Sequence, residues 1–591
     1  MPRRFITYLS IAFNYHFHGL NVFGYHLFNL AVHLLSAFLV WWLALLTFST
    51  PMMKEQKIAR HANLIALFAG LIFVAHPIQT EAVTFIVQRA ASMATMFYLA
   101  SLCFYIKSRT VKIPSPPRGG LPRQRRGLER GDYKKHIFYY ICSLLTAVLA
   151  MFTKETAITL PLMILLYEFC FLKTKKNFNW GYLSPFLLTI LIIPVTMYFT
   201  ESAKAQLQRG VLPDAPPGIS SMHYLFTQFR VLVSYIRMVF LPLNQNLDYD
   251  YPISKSILEI PTLISFLFLI GILVWAKYFF SKYRLVSFSI FWFFLTLLPE
   301  SSFLAIRDVI FEHRLYLPMV GYCLFLVSGL YYLLMRHSDP ERSEGEESKG
   351  ALRSFASLRK TIVILVVIVA VYSILTYQRN KVWQTEFSLW DDAALKAPHK
   401  ARPYYNRGLI YYQQNKFTQA IADYTKAIEI DSRLEEAYYN RGIAYAKQSD
   451  LNQAVSDYNK AININFNKAE AYINRGLIFA KQNKLREAFF DFTKAIEIDP
   501  KSEVAYNNLG IIYAYQGYFA QALANYARAI ELNPQYAETY WNRAVTFYHL
   551  KKYDEAWRNV HKAKKLGFVL NLLFINDLKK EKADPGEDFH L

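Results

Sequence analysis

Cysteine is scarce in this sequence: the four present, Cys103, Cys142, Cys170 and Cys323, all lie inside apolar runs. Neither a disulfide framework nor a Cys-based zinc site is therefore suggested. No cleavable signal peptide is evident, because Pro2-Arg3-Arg4 leads into an aromatic stretch dotted with polar residues and without a small-residue cleavage site. Acid is in deficit, with 44 Asp and Glu against 66 Lys and Arg and a formal charge of +22. Much of that excess sits in short loops between hydrophobic runs, where the positive-inside rule explains it better than nucleic-acid binding does. After residue 380 the long hydrophobic runs are missing altogether.

Before residue 380 they dominate. The chain is 53% hydrophobic, and its apolar residues gather into runs of about 20, the length that crosses ~30 Å of hydrocarbon. Spans are expected near 22–48, 62–77, 88–107, 137–152, 155–172, 181–199, 257–279, 285–300, 316–336 and 360–378. The apolar segment 223–241 carries Gln228, Arg230 and Arg237 and reads as a re-entrant or surface-lying helix. With ten spans, the basic loops Lys54 to Arg60, Lys107 to Lys135, Lys173 to Lys176, Lys277 to Arg284 and Arg336 to Lys360 share one side, the cytoplasmic one. The N-terminus, the His76–Glu81 turn, Lys154-Glu155, the 200–256 segment, the Arg307–Pro318 loop and everything after 378 then share the other. Pro114 to Asp132 and His337 to Leu352 read as low-complexity, disordered linkers.

From residue 401 the sequence repeats every 34 residues, with starts at Ala401, Glu435, Ala469, Glu503 and Ala537. Position 8 is Gly in four repeats and Ala544 in the fifth, position 20 is always Ala, and position 24 is Tyr424, Tyr458, Phe492, Tyr526 and Val560. Small residues at fixed places let the two helices of a hairpin approach closely. Pro500 and Pro534 close their repeats. These are tetratricopeptide (TPR) motifs, so the fold class is all-α: a polytopic membrane domain over 1–380, a partial repeat or capping helix over 381–400, five repeats over 401–570 and a polar tail over 571–591. Position 6 is Asn in every repeat: Asn406, Asn440, Asn474, Asn508 and Asn542. A carboxamide donates and accepts at once, so a regular row suits an extended polypeptide lying in the solenoid groove. The alternative is that these side chains cap or bridge neighbouring repeats.

Ionisable groups in or beside spans are costly and mark candidate sites. His26, Asn29 and His33 share one face of the first span, either for function or for hydrogen bonding between helices; zinc lacks a third ligand nearby. His76-Pro77 ends the second span. Glu81 follows as a candidate base or metal- or hydroxyl-orienting carboxylate, with Arg89 a candidate phosphate clamp, unless the two simply pair. Lys154-Glu155 interrupts two apolar runs, and Arg307, Asp308, Glu312, His313 and Arg314 precede Tyr316-Leu317-Pro318. Their convergence on one side is stronger than any single member.

Asn14-Tyr15, Gly19-Leu20-Asn21, Gly24-Tyr25-His26-Leu27-Phe28-Asn29, His33-Leu34, the run His76 to Val83 with Arg89, Lys154-Glu155-Thr156 and the run Glu312 to Pro318 resemble, in order, the landmarks of the transmembrane and TPR-containing protein O-mannosyltransferases. The resemblance covers nearly the whole chain. It implies a GT-C glycosyltransferase fold that passes a sugar from a polyprenyl-phosphate carrier to protein Ser/Thr hydroxyls outside the cytoplasm, with the TPRs recruiting the acceptor. It implies Glu81 and Glu155 as candidate catalytic carboxylates, and Arg89, Lys154, Arg314, His26 and His76 as candidate ligands of the donor phosphate. No metal site is read, and whether a divalent ion takes part is left open. The expected partners are the bilayer, the polyprenyl-phosphate lipid and extended polypeptides, not nucleic acid. The expected location is a bacterial inner membrane with the TPRs extracytoplasmic, or the endoplasmic reticulum with the TPRs lumenal. In one respect the chain departs from the family: an acidic motif in the first outer loop supplies the family's catalytic carboxylate, whereas no acidic residue precedes Glu55 here. That leaves two readings, a transferase chain lacking its first span and acidic loop, or a non-catalytic membrane-anchored TPR scaffold.

Overall fold

The computed structural model describes residues 4–111, 123–172, 180–198, 219–302, 308–335 and 347–586, and all regular structure among them is helical. The chain divides into two compact units, Met1–Lys396 and Ala397–Leu591. Among the described residues of the first, seven helices are long and apolar enough to cross a membrane: Val22–Phe48, Lys57–Ala75, Arg89–Thr110, Glu155–Leu172, Ile260–Tyr278, Pro318–Met335 and Phe355–Val382. Of the other three expected spans, two are shorter apolar helices, Trp180–Thr196 and Arg284–Leu297. The third, 137–152, is the apolar half of the helix Arg123–Met151, whose other half is strongly basic. Lys173 to Lys176 and Arg307 lie outside the described residues.

Two expectations are corrected by helices that begin earlier than the apolar runs do. Helical backbone starts at Arg123 and at Glu347, inside the stretches read as disordered linkers, because Arg-, Glu- and Lys-rich sequence prolongs a helix that its apolar half already nucleates. The preceding parts of those linkers lie outside the described residues. Ahead of the first span, Phe5–His18 is also helical. It is tied down where Ile6 N–H donates to Phe152 O at 3.3 Å and Thr7 Oγ1 to Thr153 O at 3.1 Å.

The helix Ser221–Phe240, the segment read as re-entrant or surface-lying, locks onto the loop before Tyr316. Gln228 Nε2 donates to Val309 O at 3.0 Å and Tyr235 Oη to Phe311 O at 3.1 Å. Helices Arg284–Leu297 and Pro318–Met335 pack with backbone almost in contact at Gly321, where a Cβ would lie 2.6 Å from Ser289 O. The neighbouring Trp292 indole is fully buried and donates to Leu317 O at 3.0 Å, so the close pair leaves no orphan donor there.

In the second unit the five helical hairpins follow the 34-residue frame, from Ala401–Gln413 with Phe417–Ile430 to Ala537–His549 with Tyr553–Lys565. The large and small positions interlock: a Cβ on Gly442 would sit 2.8 Å from Tyr458 Cε1. In the fifth repeat Ala544 faces Val560, and the methyl group replaces ring volume. Position 7 ties the hairpins electrostatically. Arg407, Arg441 and Arg475 each form a two-pronged ion pair with Asp423, Asp457 and Asp491, at 2.6–2.9 Å. Arg441 and Arg475 also reach back to Thr425 and Asn459 of the preceding repeat. Repeat four has Leu509 and Asn525 instead, and Thr493 Oγ1, which occupies the corresponding place before it, is buried with no hydrogen-bond partner among the described residues.

Two boundaries differ from those read in the sequence. The helix Glu386–Lys396, expected as a capping partial repeat, groups with the membrane unit: Asp392 pairs with Arg379 at 3.0 Å and Lys396 Nζ donates to Gln245 O at 2.8 Å. The expected polar tail contains the helix Leu572–Glu581, which buries Ile575 and Leu578 against Trp557 and Val560 and so closes the solenoid with an apolar face.

The loop between the helices of each hairpin carries a left-handed residue at position 15: Asn415, Ser449, Asn483, Gly517 and Lys551. Ser449→Gly and Lys551→Gly are expected to stabilise the protein by about 0.5–1 kcal/mol each, read from thermal unfolding of the repeat helices. Gly442→Ala is expected to cost about 1–3 kcal/mol, and much of that should be recovered when Tyr458→Val is added. Additive losses in the pair would contradict the interlocking just described.

Candidate functional site

The span Lys57–Ala75 cannot continue past His76, because the residue before a proline is held extended. The chain then folds through short helical turns, Pro77–Gln79, Thr80–Thr84 and Ile86–Gln88, before the span that starts at Arg89. This turn is polar yet buried, with Gln79, Thr80 and Glu81 all at or below 4% exposure. Such burial demands partners. Glu81 finds them 232 residues along the chain: its Oε1 lies 2.7 Å from His313 Nδ1, and its Oε2 accepts the His313 backbone N–H at 3.0 Å. A carboxylate that accepts the Nδ1–H leaves Nε2 as the basic nitrogen, so the pair is built as an oriented base.

Glu312, next along, is held from other directions. Asn246 N–H donates to it at 2.8 Å, Tyr249 Oη at 2.6 Å and Gln245 Nε2 at 3.1 Å, and Arg379 stands 3.9 Å away. Burial pushes the Glu312 carboxyl up to about 7, against the pull of Arg379 and with the charge of Glu81 adding to the rise.

Glu300 forms the second centre. It is paired with Lys154 at 2.9 Å and with Arg314 at 3.9 Å. Burial raises its pKa, but the two cations outweigh that and hold it down to about 2. Among the described residues these two cations share the Glu300 carboxylate, and Arg314 adjoins His313 of the Glu81–His313 pair in the chain. Arg314 also donates to Val309 O at 3.1 Å and Asp308 O at 2.8 Å, which fixes its guanidinium.

The structure thus brings together Glu81, Lys154, Glu312, His313 and Arg314, and adds Glu300 and Arg379. The other residues singled out in the sequence stand elsewhere. Arg89 does not pair with Glu81. It is fully buried and donates to Asn29 Oδ1 at 2.7 Å, Ser10 O at 3.2 Å and Tyr25 O at 3.2 Å, over the Phe28 ring. Among the described residues no carboxylate neutralises it. Glu155 is occupied by Arg4 at 3.0 Å. His26 is exposed, whereas His33, on the same helix, contacts Tyr316 Oη at 2.7 Å, the inter-helix hydrogen bond set out as one alternative. His76 has both ring nitrogens engaged: Nδ1 accepts from Ile78 N–H at 3.2 Å, and Nε2 donates to Val239 O at 2.9 Å. No nitrogen is left there for a phosphate.

The asparagine row is also partly committed. Asn440 and Asn474 donate to Tyr405 Oη and Tyr439 Oη of the preceding repeat at 3.0 Å, and Asn542 to Asn507 Oδ1 at 3.0 Å. Both amide hydrogens of Asn440 are spent, the second on Glu436 O. Asn406 donates to Arg402 O, and Asn508 is buried. Three members of the row, Asn440, Asn474 and Asn542, therefore bridge repeats.

These features define a helical membrane unit with a polar, ion-paired end, followed by a TPR solenoid. Family models described as TPR repeat match residues 408–449 and 512–551, and one described as tetratricopeptide repeat matches 435–468 and 469–502. Over about 72% of its length the chain is homologous to protein O-mannosyl-transferases. It is 26% identical over 494 residues to protein O-mannosyl-transferase Tmtc3 of Drosophila melanogaster, covering 72% of this chain and 48% of the fly protein. It is 23% identical to F38B6.6 of Caenorhabditis elegans (73% and 54% covered) and to TMTC1 of Homo sapiens (72% and 47%). The chain spans about half the length of the curated relatives it matches. Among solved structures, that of YrrB, described as a TPR protein with an unusual peptide-binding site, is 24% identical and covers 30% of this chain and 92% of YrrB, with a TM-score of 0.27.

Because the Glu300 carboxyl is held at about 2 against an ordinary 4.5, its ion pairs contribute stability in full above about 4.5, and that contribution is lost as pH falls towards 2. The thermal midpoint of the protein in detergent is expected to drop over that window. Glu300→Gln should flatten the drop; an unchanged acid profile in this variant would mean that the pairs contribute nothing.

Proposed function

We propose that this chain is a membrane protein O-mannosyl-transferase, which moves a mannosyl group from a polyprenyl-phosphate carrier to Ser or Thr hydroxyls of proteins that its TPR groove recruits. The observation that carries this reading is the Glu81–His313 pair, an oriented base buried at the same end of the helical unit as the Lys154–Glu300–Arg314 cluster. His313 Nε2 takes the acceptor's hydroxyl proton as the hydroxyl oxygen bonds to the sugar's anomeric carbon. The bond from that carbon to the phosphate oxygen breaks, and its electron pair leaves with the phosphate. Lys154 and Arg314, which share the Glu300 carboxylate, hold the departing anion. The kinship with proteins named protein O-mannosyl-transferases points to mannose and to a protein acceptor.

The polar end faces the extracytoplasmic side of the membrane, since Lys54 to Arg60, Lys107 to Lys135 and Lys277 to Arg284 lie at the opposite ends of the spans. Acceptors lie extended along the solenoid, and the asparagine amide oxygens accept their backbone N–H groups.

Purified protein given polyprenyl-phosphate mannose and a Ser/Thr-containing peptide is expected to mannosylate the peptide. His313→Ala and Glu81→Gln should each lower turnover by about a hundredfold or more, and Arg314→Gln should weaken donor use. Transfer at the unaltered rate by His313→Ala would remove the base from the scheme. No transfer by the unaltered chain would leave the membrane-anchored TPR scaffold as its role.

A further inference from the structure

Sixteen buried side-chain polar atoms lack a hydrogen-bond partner among the described residues, and six of them fall in two short stretches: Gln79 Nε2 and Oε1 with Thr80 Oγ1, and Arg379 Nε and Nη2 with Trp383 Nε1. The two stretches meet in space. Thr376, one turn before Arg379, donates to Ala75 O at 2.6 Å, and the Trp383 ring lies 5.9 Å from that of Phe85. Gln79 is 2% exposed and Arg379 6%. Buried polar atoms are normally partnered, so six of them together point to a polar ligand.

The same residues say what kind of ligand. Arg379 is already neutralised, by Asp392 at 3.0 Å and by Glu312 at 3.9 Å, so an anion placed here would meet two carboxylates. A neutral molecule is favoured. The unmatched set holds donors on Arg379, Trp383 and Gln79, and acceptors on Gln79 and Thr80. It therefore matches groups that both give and take a hydrogen, as several adjacent hydroxyls do. An indole and a phenyl ring beside them supply apolar faces against which C–H groups can rest.

The position matters too: Gln79 is two residues from Glu81, and Glu312 is bonded to His313. We propose that Gln79, Thr80, Arg379 and Trp383 form a subsite for the hydroxyls of the hexose carried by the donor lipid, setting its anomeric carbon near the Glu81–His313 base. This rests on the transferase reading above.

The full chain in detergent is titrated with polyprenyl phosphate and with the same lipid carrying mannose. The unaltered protein should bind the mannosyl lipid about tenfold more tightly than the bare one. Gln79→Met, which keeps the side-chain length, and Trp383→Phe, which keeps a ring and loses only the N–H, should each bring the two affinities within about twofold, with bare-lipid binding unchanged. That unchanged arm reports that the variants are folded. A preference that survives both substitutions, or an equal loss for both lipids, would overturn the subsite and leave the transferase reading standing. Failure of the unaltered protein to bind either lipid would overturn the transferase reading, and the subsite with it.

Discussion

The contact between Glu81 and His313 is the constraint on which the membrane unit turns. A carboxylate at 2% exposure cannot be left unpaired beside hydrocarbon, and its partner comes from a segment more than two hundred residues distant. Satisfying it brings the turn that follows one span against the turn that precedes another. Glu312 and Arg314 flank His313, so their own requirements draw in the 245–249 segment, Arg379, Glu300 and Lys154. A polar end is thereby assembled from at least five separated stretches. None of these residues is near enough in the chain to another stretch for local structure to arrange it.

Much of the architecture is legible in the sequence, for a physical reason. Spans and repeats are periodic, and periodicity is a local property: apolar runs of membrane length, and a 34-residue frame whose Gly408 and Tyr424 recur as Gly442 and Tyr458. What escaped is aperiodic. The turn at position 15 is filled by Asn, Ser, Gly or Lys, so its shared left-handed backbone is hidden behind different side chains. The closing helix Leu572–Glu581 has no repeat to announce it, and it is recognisable only because Ile575 and Leu578 share one face. Basic extensions such as Arg123 to Asp132 look like linkers until the helix that continues them is considered.

The site was legible only in part. Glu81, Lys154 and Arg314 were visible as charges at span ends, where cost marks function. Their partners were not, because nothing in Glu312-His313-Arg314 says that the middle residue faces Glu81 while its neighbours turn towards Arg379 and Glu300. The opposite failure occurred at His76 and in the asparagine row. There the residue types suited a ligand, but the structure spends their hydrogen-bonding groups internally, on Val239 and Ile78 and on the tyrosines of preceding repeats. Regular spacing in a solenoid serves the stacking of repeats as readily as it serves recognition.

The membrane unit and the solenoid also differ in how they tolerate change. In the solenoid each repeat touches its neighbours, so the loss of the arginine pair at Leu509 leaves the Thr493 hydroxyl without a partner among the described residues and the array intact. At the polar end of the membrane unit, partners are shared among carboxylates and cations, and removing one member strands the rest. The most direct test is a double-mutant cycle on thermal stability with Glu81→Gln, His313→Asn and the two combined. A buried, directly bonded pair should show coupling of about 1–3 kcal/mol, the double variant losing clearly less than the sum of the singles. Strictly additive losses would contradict the Glu81–His313 contact and the site built around it.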